Sequence, residues 1–401
     1  MINFLKDLTD LKDKKVFLRL DLNVPIKNGK ILDDTRIREA LPSIQFLLEQ
    51  GARVVMASHM GRPKTDGPED RAKYSLEPVA LDLAQKLGRE VVLVEAPDSD
   101  APRGLLAEGK FNKIILLENL RFNKGEEGNS ATLAQKWARY CDVYVNDAFG
   151  SCHRAHASID ALPRAMKIKV AGFLIEKEIK SLSVVREKPE APFVLILGGS
   201  KVSDKIPVIE HFIDKADTII VGGAMAYTFL KAQGEPVGNS LVEEKQVDYA
   251  RHLIGRMEAR DKKILLPIDH VVATSLDKPE SAKTVQSIEM GWLGADIGPE
   301  SAKLFSDVIK NAKTIFWNGP MGVYETAPFN KGSFAIAKAV AQSDGYSVIG
   351  GGDSAAAAVD SGFASQVSHI STGGGASLEY MEGKTLPGLA ILDVKAIAVP
   401  L

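Results

Sequence analysis

Phe193-Val194-Leu195-Ile196-Leu197-Gly198-Gly199-Ser200-Lys201 is a run of five apolar residues closed by two glycines and, one residue on, a lysine. A strand with one wet face would alternate apolar and polar positions. A run apolar at every position reads instead as a strand buried on both faces, which is the habit of parallel sheets. The glycines that follow let backbone approach backbone, or a ligand, closely.

The same phrase recurs outward in both directions. Downstream stand Thr218–Val221, Ile264–Ile268, Thr314–Trp317 and Ser347–Ile349. Upstream stand Val16–Leu20, Arg53–Ala57, Val91–Val94, Lys113–Leu117 and Val143–Val145. Helical patterns lie between them. Over Thr35–Gln50 the apolar residues Ile37, Ala40, Leu41, Ile44, Leu47 and Leu48 keep helical spacing, with Gly51 at the C-terminal cap, and Leu76–Leu87 ends the same way at Gly88. Strands alternating with helices predict right-handed βαβ units. The expected fold is α/β: two doubly wound, Rossmann-like parallel-sheet domains joined by a hinge helix.

The junction is expected at the helical pattern Ile175–Val185 and the polar stretch Arg186–Pro192. This gives an N-terminal domain over residues 1–170, a hinge over 171–190 and a C-terminal domain over 191–380. The strand ends differ between the halves. Those of the first half carry Arg, His, Asn and Asp; those of the second carry glycines. Ligands of open α/β sheets bind beyond the carboxyl ends of the strands. The first half therefore suits a small, multiply anionic molecule, and the second a phosphate-bearing one.

Composition sets outer bounds. With 50 Lys and Arg against 52 Asp and Glu, the net charge is -2, which argues against a general nucleic-acid or membrane-surface binder. Two cysteines, Cys141 and Cys152, are too few for a disulfide framework. The N-terminal stretch lacks a signal-peptide pattern, and no apolar run reaches the ~20 residues of a membrane span. A cytoplasmic protein is the expectation.

Five segments of the first half carry chemistry. In Arg19-Leu-Asp21-Leu22-Asn23-Val-Pro25, Asp21 and Asn23 fall on one side of an extended chain, facing a cleft or forming an Asx turn. Asp34 or Thr35 caps the next helix, placing Arg36 in its first turn, where a cation opposes the helix dipole. Arg36 there either reaches for an anion or is solvated. Ser58-His59-Met60-Gly61-Arg62, Glu118-Asn119-Leu-Arg121 and Cys152-His153-Arg154-Ala-His156 close further strands. His59 with Arg36, Arg62, Arg121 and Arg154 makes five cationic side chains at strand ends, and arginine forks match phosphate and carboxylate. His153 and His156 are an alternative metal pair without a third ligand at suitable spacing.

In the second half, Gly198-Gly199-Ser-Lys201-Val-Ser-Asp204-Lys205 is not a Walker loop. If helical, Lys201 and Lys205 share a face, where repulsion is relieved by a polyphosphate or simply by solvent. Gly222-Gly223, Trp317-Asn318-Gly-Pro320-Met-Gly-Val323 with Glu325, Gly350-Gly351-Gly352-Asp353-Ser354 and Thr372-Gly373-Gly374 follow. Gly350–Ser354 reads as strand, glycines, carboxylate, helix. Its N–H groups can hold phosphate, and Asp353 can meet a Mg²⁺.

Together these phrases resemble the phosphoglycerate kinase family along essentially the whole chain. The resemblance implies reversible phosphoryl transfer between 1,3-bisphosphoglycerate with ADP and 3-phosphoglycerate with ATP, in a monomer that uses Mg²⁺ and closes about its hinge. It implies 3-phosphoglycerate on Asp21, Leu22, Asn23, Arg36, His59, Met60, Gly61, Arg62, Arg121 and Arg154. It implies the nucleotide near Gly198, Gly199, Lys201, Lys205, Gly222, Gly223, Gly298, Asn318, Pro320, Val323, Glu325 and Gly350 to Ser354, with Asp353 on the metal. Arg36, Lys201, Lys205 and the Gly373 and Gly374 amides are expected around the transferring group, and a C-terminal segment of about 381–401 on the N-terminal domain. Gly294-Ala295 lengthens one wall of the implied adenine pocket, and Cys152 replaces a small residue. The alternative function is a non-enzymatic nucleotide-sensing protein, which would need the glycine turns without the arginines.

Overall fold

The computed structural model describes residues 2–107 and 113–393. It divides into two compact units. One runs to Ile179 and resumes at Thr385; the other is Lys180–Lys384. The division falls inside the helix Phe173–Glu187.

The first unit is built on a six-stranded sheet in the order Val91–Val94, Ile114–Leu117, Arg53–Ala57, Lys15–Leu20, Val143–Asp147, Ile168–Ala171. All neighbours are parallel. The central strand Lys15–Leu20 is buried at every position but its first, as a strand covered on both faces must be. From it the chain winds to one side through Arg53–Ala57. It later crosses to start again on the other side at Val143–Asp147. This reversal opens a crevice beyond the carboxyl ends of those strands, where ligands of doubly wound sheets sit.

The second unit repeats the plan. Its six parallel strands run Lys263–Leu265, Thr218–Val221, Phe193–Leu197, Thr314–Asn318, Tyr346–Gly350, His369–Ile370. The winding reverses between Phe193–Leu197 and Thr314–Asn318, so the two glycine-rich turns after these strands meet. Both expected sheets are present, with the expected strands within a few residues.

Several elements were absent from the sequence reading. Ile168–Ala171 and His369–Ile370 are edge strands. An antiparallel sheet of His270–Ala273, Lys283–Val285 and Leu293–Ile297 is inserted after Lys263–Leu265. The chain from Thr385 packs on the first unit: Gly388 donates to the Cys152 carbonyl at 2.9 Å, and a Cβ on Gly388 would stand 2.9 Å from the Cys152 backbone. The remainder of the expected 381–401 segment, residues 394–401, lies outside the described residues.

Among the described residues no helix is long and apolar enough to cross a membrane.

Candidate functional site

Each unit carries one constellation at its sheet reversal. In the first unit, strand Lys15–Leu20 delivers Asp21, Leu22 and Asn23 to the crevice. Asp21 Oδ2 accepts from Arg36 Nη1 at 2.8 Å, an ion pair buried on the carboxylate side and one-third exposed at the arginine. Arg36 stands in the first turn of helix Thr35–Glu49. The Asp34 side chain makes no capping hydrogen bond there; Asp33 does the work instead, accepting from Thr35 N at 2.9 Å and Thr35 Oγ1 at 2.6 Å.

Loop is tied to loop. Asn23 Oδ1 accepts from Gly61 N at 2.9 Å, and Leu22 N donates to Ser58 Oγ at 2.9 Å. Asn119 Oδ1 accepts from Met60 N and from Arg121 N, both at 3.1 Å. Arg121 Nη1 donates to the Gly61 carbonyl at 2.5 Å. Gly61 sits at φ +58°, and a Cβ there would lie 2.3 Å from the Tyr74 ring; only glycine makes this turn without moving the ring. Arg62 is exposed. Arg154 Nε donates to His153 Nε2 at 3.0 Å.

His59 does not add a fifth cation. Burial, then the charges of Arg19 and Arg121, hold its pKa well below the usual imidazole range, because a buried ring gains neither solvation nor a counter-ion for its proton. It is a neutral hydrogen-bonding group near pH 7. His156 behaves likewise, pushed down to about 4 by burial and then by Arg121 and Arg19.

Beneath the arginines lies a buried network that the sequence reading passed over. Arg19 is 1% exposed. Its Nε donates to Ser158 Oγ at 2.8 Å, and Ser158 Oγ donates to Glu126 Oε1 at 2.5 Å. Ser158 N holds the other Glu126 oxygen at 2.9 Å. Arg19 Nη2 lies 3.3 Å from His59 Nδ1. The signal was an arginine inside an otherwise apolar strand.

Cys152 is fully buried, and burial pushes its thiol pKa up. It approaches Asn146 Nδ2 at 3.6 Å and the Ala148 carbonyl at 3.5 Å. A neutral, enclosed thiol is a packing group, so the nearby cations do not make it reactive.

In the second unit, Gly198 N donates to the Asn318 carbonyl at 3.0 Å and Gly199 N to that of Pro320 at 2.9 Å. A Cβ on Gly198 would lie 2.1 Å from the Pro320 oxygen, so the two turns interlock only through glycine. Above them opens a cavity of about 440 Å³ lined by Gly199, Gly223, Pro320, Val323, Glu325 and Asp353 among others. Gly222 stays underneath, against Met321. Lys205 Nζ donates to Asn318 Oδ1, and Asn318 Nδ2 donates to the Gly350 carbonyl at 2.8 Å. Burial lowers the Lys205 pKa, opposed by Asp204 and Asp353.

Gly350, Gly351 and Gly352 bring the chain to helix Gly352–Asp360. Asp353 is exposed in its first turn, an oxygen ligand facing the cavity. With one carboxylate and the oxygens of a bound polyphosphate, this position fits Mg²⁺, which keeps several waters and takes few protein ligands.

Four expectations are corrected. Lys201 and Lys205 do not share a helix face: the helix starts at Ile206, with Pro207 in its first turn, and Val202–Lys205 is a turn. Gly298 does not line the cavity. It is the N-cap of helix Pro299–Lys310, enclosed by Asp269; Gly294 and Ala295 form the wall instead. The Ser354 hydroxyl is buried and donates to the Gly350 carbonyl at 2.6 Å, so it faces no ligand. The Gly373 amide donates to Ser371 Oγ at 3.2 Å; Gly374, at φ +54°, turns the chain into helix Gly375–Met381.

The phosphoglycerate kinase family model matches residues 5–384. A phosphoglycerate kinase of Bdellovibrio bacteriovorus is 55% identical over 402 residues, covering 98% of this chain and all of its own. One of Clostridium perfringens is 49% identical over 389 residues, covering 96% of this chain and 97% of its own. The solved phosphoglycerate kinase of Coxiella burnetii superposes with a TM-score of 0.89 at 42% identity, covering 99% of this chain and 100% of its own. That of Pyrococcus horikoshii gives 0.83 at 33% identity, covering 98% of each. Family model, sequence identity over nearly the whole chain and superposed fold agree, and the chain belongs to the phosphoglycerate kinase family.

Proposed function

We propose that the protein transfers a phosphoryl group reversibly between 1,3-bisphosphoglycerate with ADP and 3-phosphoglycerate with ATP. The observation that carries this reading is the gathering of Arg36 and Arg121 about a neutral His59, with Arg154 beside Arg121, at the carboxyl ends of one parallel sheet. Such a site attracts a small anion with both a carboxylate and a phosphate. Asp21 and Asn23 hold its hydroxyl, and Arg36 shares its charge between Asp21 and the ligand.

The nucleotide takes the cavity of the second unit. Its base lies against Gly294 and Val323, and its phosphates lie toward Gly199, Lys205 and the start of helix Gly352–Asp360. Bound Mg²⁺ would neutralise phosphate oxygens from Asp353. In the direction that consumes ATP, a carboxylate oxygen of 3-phosphoglycerate forms a bond to the γ-phosphorus as the bond to the ADP oxygen breaks. That carboxylate is already ionised at neutral pH, so no base is required. Arg36, Lys201 and Lys205 stabilise charge on the oxygens in flight, the kind of contribution worth ~10³–10⁵ in rate from a supplied arginine elsewhere.

Ligands on separate units must be brought together, so the reading includes closure about helix Phe173–Glu187, in a monomer, which also keeps water from the transferring group. Identical scattering profiles with and without both substrates would count against closure. The function itself is tested by ADP formation from Mg-ATP that depends on 3-phosphoglycerate. Turnover is expected in wild type and a loss of about 10³-fold or more in folded Arg36→Ala. A folded wild type that binds Mg-ATP without turnover would refute it.

A further inference from the structure

The second unit carries a further hollow, wider than the one above the glycine turns. A groove of about 730 Å³ lies on helices Pro299–Lys310 and Lys331–Ala341, which pack side by side, and on the antiparallel sheet. Its floor is small and apolar: Val271, Ile297, Ala302, Ala335 and Ala339. Lys303 and Lys310 rise from one helix, Lys331 and Lys338 from the other.

The spacing matters. Seven residues are two helical turns, so each pair shares one face with its members about 10 Å apart. Packed helices stand about 8–10 Å apart. The four ammonium groups therefore bracket an apolar floor roughly 10 Å on a side. All four are exposed, and among the described residues none has an ion-pair or hydrogen-bond partner. Asp307 is the one carboxylate of the groove and pairs with none of them. Lysine Lys283 at the sheet end differs, lying 3.8 Å over the Trp292 ring.

Solvated lysines on amphipathic helices are ordinary. Four unpaired ones around a concave apolar floor, in a chain of net charge -2, are not explained by solubility. The volume lies within the range of small-molecule sites, and convergent polar groups over an apolar floor are their usual design. Lysine binds phosphate as a point charge.

We infer that this groove binds a small organic polyphosphate, its flat or aliphatic body on the alanine floor and its phosphates among Lys303, Lys310, Lys331 and Lys338, apart from the nucleotide cavity. The two hollows share a wall. Leu293, Gly294 and Ala295 face the cavity while Ile297 faces the groove. Between them sits the buried Asp296 carboxylate, 2.3 Å from where a Cβ on either Gly322 of the cavity or Gly332 of the groove would stand. Gly332 N donates to it at 2.7 Å.

The test is calorimetric titration of the whole protein, held in saturating adenosine so that the base end of the nucleotide cavity is filled without adding phosphate, with coenzyme A and with NADPH as probes. At least one is expected to bind at one equivalent with a Kd below 1 mM at low salt. Binding should fall at least tenfold in the Lys303→Glu/Lys338→Glu double variant, whose kcat and KM values should match wild type. Ala335→Trp, which fills the floor and leaves every lysine, should also abolish it. Inorganic tripolyphosphate should bind at least tenfold more weakly than the better probe. Neither probe binding wild type, or equal binding by wild type and double variant, would overturn the proposal. Tripolyphosphate binding as tightly as the organic probes would overturn the role of the floor. Polyglutamate binding more tightly than both would reassign the groove to an acidic protein segment.

Discussion

At the scale of single residues, the basic crevice rests on charges that never meet solvent. Arg19 and Glu126 are buried within one network through Ser158. Removing one member leaves the other charged and enclosed, which typically costs about 3–5 kcal/mol. Arg19→Ala should therefore lower stability by about that amount in urea unfolding, and the Arg19→Met/Glu126→Gln pair should recover part of it. A double-variant loss equal to the sum of the two single-variant losses would show that the two groups are not coupled. Cys141 and Cys152 are both buried with thiol pKa values pushed up by burial. Neither should react with a disulfide reagent in the native protein, and both should react at once in denaturant; rapid native reaction of either would contradict the burial argument. The exposed chemistry of the crevice was readable, because Arg36, Arg62, Arg121 and Arg154 each follow a strand or open a helix. The buried support was not: nothing local distinguishes Glu126 or Ser158 from surface residues, and their pairing with Arg19 spans more than a hundred positions. The charge state of His59 was misread for the same reason, since desolvation is a property of the packed crevice.

At the scale of elements, apolar runs buried on both faces announced the two parallel sheets. The strand Ile168–Ala171 escaped because an edge strand is short and half wet, with Lys169 in its middle. The antiparallel sheet escaped because its three strands are only 3–5 residues long, and a Pro279 turn interrupts the periodicity. Gly294 rather than Gly298 lines the cavity because the wall is the strand Leu293–Ile297, just ahead of the glycine before Pro299. A Cβ on Gly294 would stand 1.9 Å from the Tyr227 hydroxyl. Gly294→Val should raise the KM for ATP at least tenfold while leaving that for 3-phosphoglycerate unchanged. Parallel increases in both would argue for a general loss of structure instead. The turn at Val202–Lys205 carries a similar lesson. Pro207 fits the first turn of a helix and fixes the start at Ile206, which moves Lys205 off the helix and toward Asn318.

At the scale of the whole molecule, two buried carboxyls make stability depend on pH in an uncommon direction. Asp147 accepts from Leu174 N at 2.8 Å and Ile175 N at 3.2 Å, at the start of helix Phe173–Glu187. Burial raises its pKa to about 7. Burial also raises Asp296 to about 8, against two backbone donors. The folded state then holds protons that the unfolded state has released, so stability falls as pH rises from about 4 toward these values. Each group contributes a slope of about 1.4 kcal/mol per pH unit inside its window. In Asp296→Asn the decline between pH 5 and pH 8 should be shallower than in wild type; an unchanged slope would mean the carboxyl titrates normally. A different consequence follows from the return of the chain to the first unit at Thr385. On the ribosome the first unit emerges early, yet its last piece is made only after all of Lys180–Lys384. At about 5–20 residues per second, the Cys152 carbonyl waits roughly 12–47 seconds for Gly388. The nascent first unit spends that interval with one apolar seam open, and the point of exposure to chaperones and to premature association is set by the order of synthesis.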